Sequence, residues 1–370
     1  MLFDSLKQIF NKTFILSIIL HTLHGFIYEK SKLYYPYTFD RNILLIKTDL
    51  YKFYLATSFI FLSVPYLLSK LSPNKYLLAH ASVENRYKSR NTLDIQIGSF
   101  LLGLSMVLTG FCPSYLPIYL AIDPIVFVYC IAVSYIAYGF YSVLGRFLSS
   151  RTTGSRINND PNNPPSMSTD KQSLNNIARF ITISVSILLL LIFETSEQSV
   201  SPGHSSEELF DLLYHGDYLP PGLAGLLCGC INFFLIFFCN EYQTLTSEWL
   251  IDIFYYASDV KVDKKNVIAG QLCIEQVLKI LSMALGVRLS LWTSKRQEIP
   301  NIDWLCYALI GFGSFLGAFA VCFTTATFTD HIYLKCAFIG NIPHEVISLT
   351  MNVAWVSLFV SKLLGITNLK

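Results

Sequence analysis

The chain has 370 residues, of which 53% are apolar and 14% charged, with a net charge of +2 and a mean hydropathy of +0.47. Soluble domains carry about 25% charged residues, so a water-soluble enzyme or binding module is excluded. A basic stripe interleaved with aromatics is missing, which excludes nucleic acid as a partner.

The apolar residues lie in long runs. A hydrocarbon core of about 30 Å takes roughly 20 residues of helix, and lipid offers a non-helical backbone no hydrogen-bond partners. The candidate spans are 13–28, 50–69, 93–122, 124–148, 179–193, 220–239, 267–291, 303–328 and 346–364. These are hydrophobic segments rather than full crossings, because some are short and 93–122 and 303–328 contain several Gly or a Pro. Lys7 and Lys12 precede the first run as in a signal peptide, but Tyr28-Glu29-Lys30 follows it where a small-residue cleavage site belongs. It therefore reads as a retained helix.

The stretch 151–178 is rich in Asn, Ser and Pro and has no periodic apolar face. It reads as a polar cytoplasmic linker between a first transmembrane half, 1–150, and a second, 179–370. Lys70, Lys75, Arg86, Lys88 and Arg90 precede residue 93, and Arg146, Arg151, Arg156, Lys171 and Arg179 surround the linker. The positive-inside rule puts both loops in the cytoplasm. Segment 194–219, with six carboxylates and no Lys or Arg, belongs outside. Loop 29–49 (Lys30, Lys32, Arg41, Lys47) and loop 292–302 (Lys295, Arg296) conflict with simple alternation. The expected location is the plasma membrane, crossed many times, with the lipid bilayer as a partner.

Nine cysteines, at 112, 130, 228, 230, 239, 273, 306, 322 and 336, lie mostly within apolar runs, which argues against a secreted disulfide framework. Cys228-Gly-Cys230 lacks the second ligand pair of a zinc site. The histidines show no metal-binding spacing. Neither cofactor nor metal is expected, and no phosphate-binding loop follows a strand.

A Gly nine residues before a Cys occurs twice, in Gly103-Leu-Ser-Met-Val-Leu-Thr-Gly110-Phe-Cys112 and in Gly313-Ser-Phe-Leu-Gly317-Ala-Phe-Ala-Val-Cys322. Two readings are open. Transporters are often built from two repeats whose broken helices meet near the midplane, and glycines also let helices pack closely.

Segment 98–120, GSFLLGLSMVLTGFCPSYLPIYL, resembles the "G-x-C-P-G" helix end of the YeeE/YedE sulphur-transport family, which includes thiosulfate importers. Residues 24–64 resemble its "GF-x-LEK" segment and the helix ending in "K-x-FLTA", here Glu29-Lys30 and Lys52-Phe53-Tyr54-Leu55-Ala56. Residues 303–328 resemble the second-half motif "GGCTSGHG", and 220–241 the helix opening that half. The sequence departs from the pattern at Ser114, at Ala320-Val321 and in lacking the Gly-His after Cys322.

The resemblance implies an all-α membrane transporter, not an enzyme, with two pseudo-symmetric halves and broken or re-entrant helices. Its substrate would be thiosulfate or a related sulfur-containing ion. A small dianion loses hydration at great cost unless partners replace its water. Protonated thiols are weak donors and soft enough for a terminal sulfur, and helix N-termini favour anions. Carried over by motif, the substrate-binding residues are Cys112 and Cys322, with Cys228 or Cys230 a third thiol. Gly110 and Pro113 flank Cys112, and Thr324 and Thr325 either donate hydroxyl bonds or bond back to their own helix. Any of these cysteines is otherwise a small buried hydrophobe. Arg288 either attracts anions or serves structure, snorkelling or pairing with Glu275. On the transport reading, Cys112 and Cys322 converge near the midplane. The alternative is a polytopic membrane protein of another class, a lipid-modifying enzyme or a non-transporting scaffold.

Overall fold

The structure, a computed structural model, describes residues 12–34, 48–87, 92–112, 115–149, 218–239, 266–293 and 304–324, with scattered positions within 184–193 and 352–362. The linker 151–178, segment 194–217, and Pro113 and Thr325 lie outside the described residues, as do most of 179–193 and 346–364.

All regular structure among the described residues is helical. In chain order the helices are α1 (Lys12–Ser31), α2 (Asp49–Leu71), α3 (Pro73–Tyr87), α4 (Thr92–Thr109), α5 (Leu116–Ile122), α6 (Pro124–Ser149), α7 (Pro221–Cys239), α8 (Asn266–Thr293) and α9 (Trp304–Thr324). Seven of the nine expected segments coincide with these helices, and 93–122 is split between α4 and α5. Four helices, α2, α6, α7 and α9, are long and apolar enough to cross a membrane.

Polarity is turned inside out relative to a soluble protein. Ile15, Ile19 and Leu23 of α1 and Ile125, Val128, Ile136, Phe140 and Val143 of α6 face outward, whereas Ser17, His21, His24, Glu29, Lys30 and Lys52 are buried. Water rewards the opposite arrangement. An apolar solvent favours this one, because polar groups then find partners only inside the bundle.

Each major helix of the first half packs on one of the second: α1 on α8, α2 on α7, and both α4 and α6 on α9. The α1–α8 contact is the closest. A Cβ on Gly25 would fall on the Met283 carbonyl, and one on Gly286 on the Thr22 carbonyl. Ser290 Oγ donates to Glu29 Oε2 at 2.5 Å further along the same seam. The offsets of about 258–264 residues stay nearly constant along the seam, so α1 and α8 run parallel. Gly225 against Phe53 and Gly229 against Ile60 make α2 and α7 parallel as well. Ring pairs Tyr129–Tyr307, Phe140–Phe315 and Tyr141–Phe323 do the same for α6 and α9. In contrast, α7 is antiparallel to α1, since the Leu219 N–H donates to the Lys30 carbonyl and the Cys239 thiol to that of Thr13.

These directions sort the helix ends. Ser31, Asp49, Pro221 and Thr293 lie at one end of the bundle; Lys12, Leu71 and Cys239 lie at the other. The exposed Trp292 and Trp304 (85% and 80%) mark the Ser31 end. Two lysines that spoil alternation in loop 29–49 are accounted for internally. Lys30 is fully buried with its ammonium over the Phe26 ring, and Lys32 forms an ion pair with Glu29. Tyr34 OH adds a donor to Glu29 at 3.5 Å, so Glu29 ties the turn after α1 to α8.

The close seam yields a test. Gly286→Ala should cost about 1–3 kcal/mol through overpacking against backbone. Gly139→Ala, whose Cβ would meet nothing within 4 Å, should raise stability by about 0.5–1 kcal/mol as an ordinary helix-interior change. Thermal unfolding of the detergent-solubilised protein compares the two.

Candidate functional site

The site begins where α4 stops. Thr109 is its last helical residue, and Gly110 takes φ +70°, the left-handed conformation that lacks a penalty only for glycine. The Thr109 hydroxyl accepts the Phe111 N–H at 3.3 Å and lies 2.9 Å from the Ser105 carbonyl and 2.7 Å from that of Phe111. The Tyr115 N–H donates to the Cys112 carbonyl at 2.8 Å and closes the turn. Pro117, at the start of α5, suits a first helical turn. Asp123 Oδ1 then caps α6 by accepting N–H groups of Ile125 and Val126 at 3.1 and 3.2 Å.

This break lies inside the bundle. Thr109 touches α9 at Gly313, where an added Cβ would stand 2.7 Å from its Cγ2. Gly313 is nine residues into α9, about 14 Å from its start. Gly110, Phe111, Cys112 and Tyr115 are all buried. Non-helical backbone at such depth is stable only when protein encloses it.

Tyr115 is the hub. Its hydroxyl is 3.3 Å from that of Tyr54 on α2, and its ring meets that of Tyr28 on α1 edge to face at 5.4 Å. Cys112 and Cys228 are both near enough to that hydroxyl to act on it electrostatically. Thr57 Oγ1 on α2 lies 3.0 Å from the Gly225 carbonyl, a contact that seats the first turns of α7 beside the cluster. Phe53 packs on Tyr28, and His24 stacks on the other side of Tyr28 with ring centroids 4.6 Å apart.

The structure thus brings Gly110 and Cys112, in the break after α4, into one neighbourhood with Cys228 on α7. Cys228 is fully buried and Cys230 half-exposed, since two residues turn about 200° around a helix. Only Cys228 of that pair faces the cluster. Cys322 is buried too, but α9 continues past it to Thr324 without a break. It stands nine residues beyond Gly313, about 14 Å closer to the Lys12 end of the bundle. The two Gly–Cys repeats therefore adopt different backbones, one broken three residues before its cysteine and one helical through it. Thr324 is the last residue of α9.

Sequence reasoning passed over Tyr28, Tyr54 and Tyr115. Tyr115 follows the Cys-Pro pair closely, and that adjacency was the available signal. Lys30 and Lys52 sit at helix ends yet are buried at the Ser31 end of the bundle. Arg288 is exposed on the outside of α8. Its suggested partner Glu275 is thirteen residues away on the same helix, about 20 Å, so the two do not pair.

The cluster puts thiol and phenolic O–H groups in a buried setting, with Lys30 and Lys52 buried at the Ser31 end of the bundle. Such a set can donate to an anion without setting a full negative charge against it. Among the described residues no group of three or more His, Cys, Asp or Glu is arranged to hold a metal. No protein-family model matches the chain, and no characterised protein matches it in sequence.

The Tyr54–Tyr115 contact is open to a double-mutant cycle. Each Phe substitution should cost about 1 kcal/mol by removing the contact between the two buried hydroxyls. The pair should show a coupling energy of about 0.5–1.5 kcal/mol, read from unfolding midpoints.

Proposed function

We propose that the protein is a multi-pass membrane transporter for thiosulfate or a related small sulfur-containing anion, and that it lacks catalytic activity of its own. The observation that carries this reading is the enclosed break after α4, where Gly110, Cys112 and Tyr115 are buried in the bundle with Cys228 of α7 in the same neighbourhood. A bundle that keeps irregular backbone, thiols and phenols in its interior resembles the broken-helix sites of transporters. An anion arriving from the Ser31 end passes the buried Lys30 and Lys52 first. It then exchanges water for the O–H of Tyr54 and Tyr115 and for the S–H of Cys112 and Cys228. Cys322, nearer the Lys12 end, extends the row of thiols, with Pro113, Thr324 and Thr325 as further contacts. The two halves, 1–150 and 179–370, act as pseudo-symmetric repeats around this path.

The Lys12 end faces the cytoplasm of a plasma membrane in this reading. The basic segment after Leu71, which includes α3, and the linker after Ser149 then lie inside, and the acidic segment before Leu219 lies outside. An impermeant maleimide applied to intact cells should label a variant that keeps only Cys306, which is exposed near the start of α9. Labelling only after permeabilisation would reverse the orientation.

Uptake of radiolabelled thiosulfate into proteoliposomes tests the function. Wild-type protein should accumulate label, and Cys112→Ala should bring uptake to background while its unfolding midpoint stays near wild type. Retained uptake in that variant removes the thiol pathway, and inactivity of well-folded wild type removes the substrate.

A further inference from the structure

Below the tyrosine cluster, the inward face of α1 is polar for about 16 Å, the rise from Ser17 to Tyr28. Ser17, His21, His24 and Tyr28 are all buried along it. Both ring nitrogens of His24 are sealed from solvent and have no hydrogen-bond partner among the described residues. A buried polar group left this way is destabilising, and a well-packed chain would place an apolar residue there. Ionisable groups in such positions in membrane bundles mark ion or proton paths.

The surroundings define what His24 would bind. On α1 itself it has His21 one turn further in and Tyr28 stacked above it. From α8, Lys279 acts on His21. From α7 the titratable group facing the cluster is Cys228, and from the segment leading into α5 it is Tyr115. No carboxylate among the described residues acts on His24. Glu29, five residues along α1, is already engaged by Lys32 and Ser290. A protonated His24 in this place therefore has no counter-ion from the described chain. A dianion in the cluster above Tyr28 would supply one.

We propose that His24 is the proton-binding group of the transporter, and that protonation of its ring and occupation of the Cys112–Cys228–Tyr115 cluster by an anion favour each other. This inference rests on the transport reading and adds the driving ion to it. A proton from the Ser31 side joins the neutral imidazole as the anion arrives, and one negative charge of the dianion is offset within the bundle. The proton leaves toward the Lys12 end after the anion does, with His21 and Ser17 next along the row. Histidine suits the role because its ordinary pKa lies near physiological pH. Linkage requires the coupling to be reciprocal: proton uptake strengthens anion binding by the factor by which the anion strengthens proton binding.

The test uses full-length protein in proteoliposomes with the membrane potential clamped at zero. One proton per anion gives about tenfold accumulation of labelled thiosulfate for each pH unit, acid outside, since each tenfold ratio matches about 1.4 kcal/mol. His24→Gln should abolish this response while label still equilibrates without a gradient. His24→Leu should do the same and should be no less stable than wild type, because the ring nitrogens have no partner to lose. Adding thiosulfate to wild-type protein in weakly buffered detergent should raise the pH through proton uptake, and neither variant should show it. A gradient response retained by a His24 variant overturns the proposal. So does loss of equilibration by variants that melt like wild type, which would make His24 a permeation contact rather than a proton site. Absence of thiosulfate uptake by wild type at every pH would instead sink the transport reading itself.

Discussion

The crossing of α1 and α8 is the contact on which the other placements depend. Two glycines, Gly25 and Gly286, bring the backbones together so closely that neither position has room for a Cβ. Lipid gives helices no hydrophobic reason to associate, so close packing and polar contacts between them must do that work. Here both occur on one seam, with the Ser290–Glu29 hydrogen bond beyond the glycines. Once the seam is set, Tyr28 and His24 point into the bundle and the turn after Ser31 is held against α8. Leu219 then finds the Lys30 carbonyl, which delivers the start of α7, and with it Cys228, to the same end.

A second consequence is the room for a broken helix. The chain from Gly110 to Tyr115 carries backbone groups that lipid would leave unsatisfied. The Thr109 hydroxyl takes up the Phe111 N–H and the Cys112 carbonyl that of Tyr115. The rest of the enclosure comes from Tyr28 of α1 and Tyr54 of α2, which meet Tyr115, and from Cys228 of α7 nearby. The break therefore depends on the helices around it as much as on Gly110.

The two halves contribute unequally. Every long helix of the first half has a partner in the second, as an interlocked repeat requires. Yet the cysteine-bearing elements differ, for α4 stops short of Cys112 while α9 runs through Cys322. A thiol on a helix shoulder and a thiol in an irregular turn are different ligands. The turn frees neighbouring backbone groups, whereas the helix keeps them bonded to one another.

By itself the sequence determined the solvent and the segments. Run length and low charge imply lipid, and seven hydrophobic runs became helices because no other local structure satisfies their backbone there. A helix end near Cys112 was implied by the motif resemblance, whereas the left-handed turn at Gly110 came only with the structure. The partners of Cys112 were not legible. Cys228 and Cys230 look alike in sequence, and only the facing of α7 on α2 turned one inward and the other out. Nothing in the sequence marks Tyr28, Tyr54 and Tyr115 as one group, and only the packing of α1 and α2 against the break after α4 brings them together. Lys30 and Lys52 sit at helix ends, where sequence places charge in water, and both are buried by neighbouring elements. His24 stands in an ordinary apolar run, with nothing local to distinguish it. Its isolation from hydrogen-bond partners arises from tertiary packing, because burial depends on which helices cover a face, and chain-local spacing does not encode that.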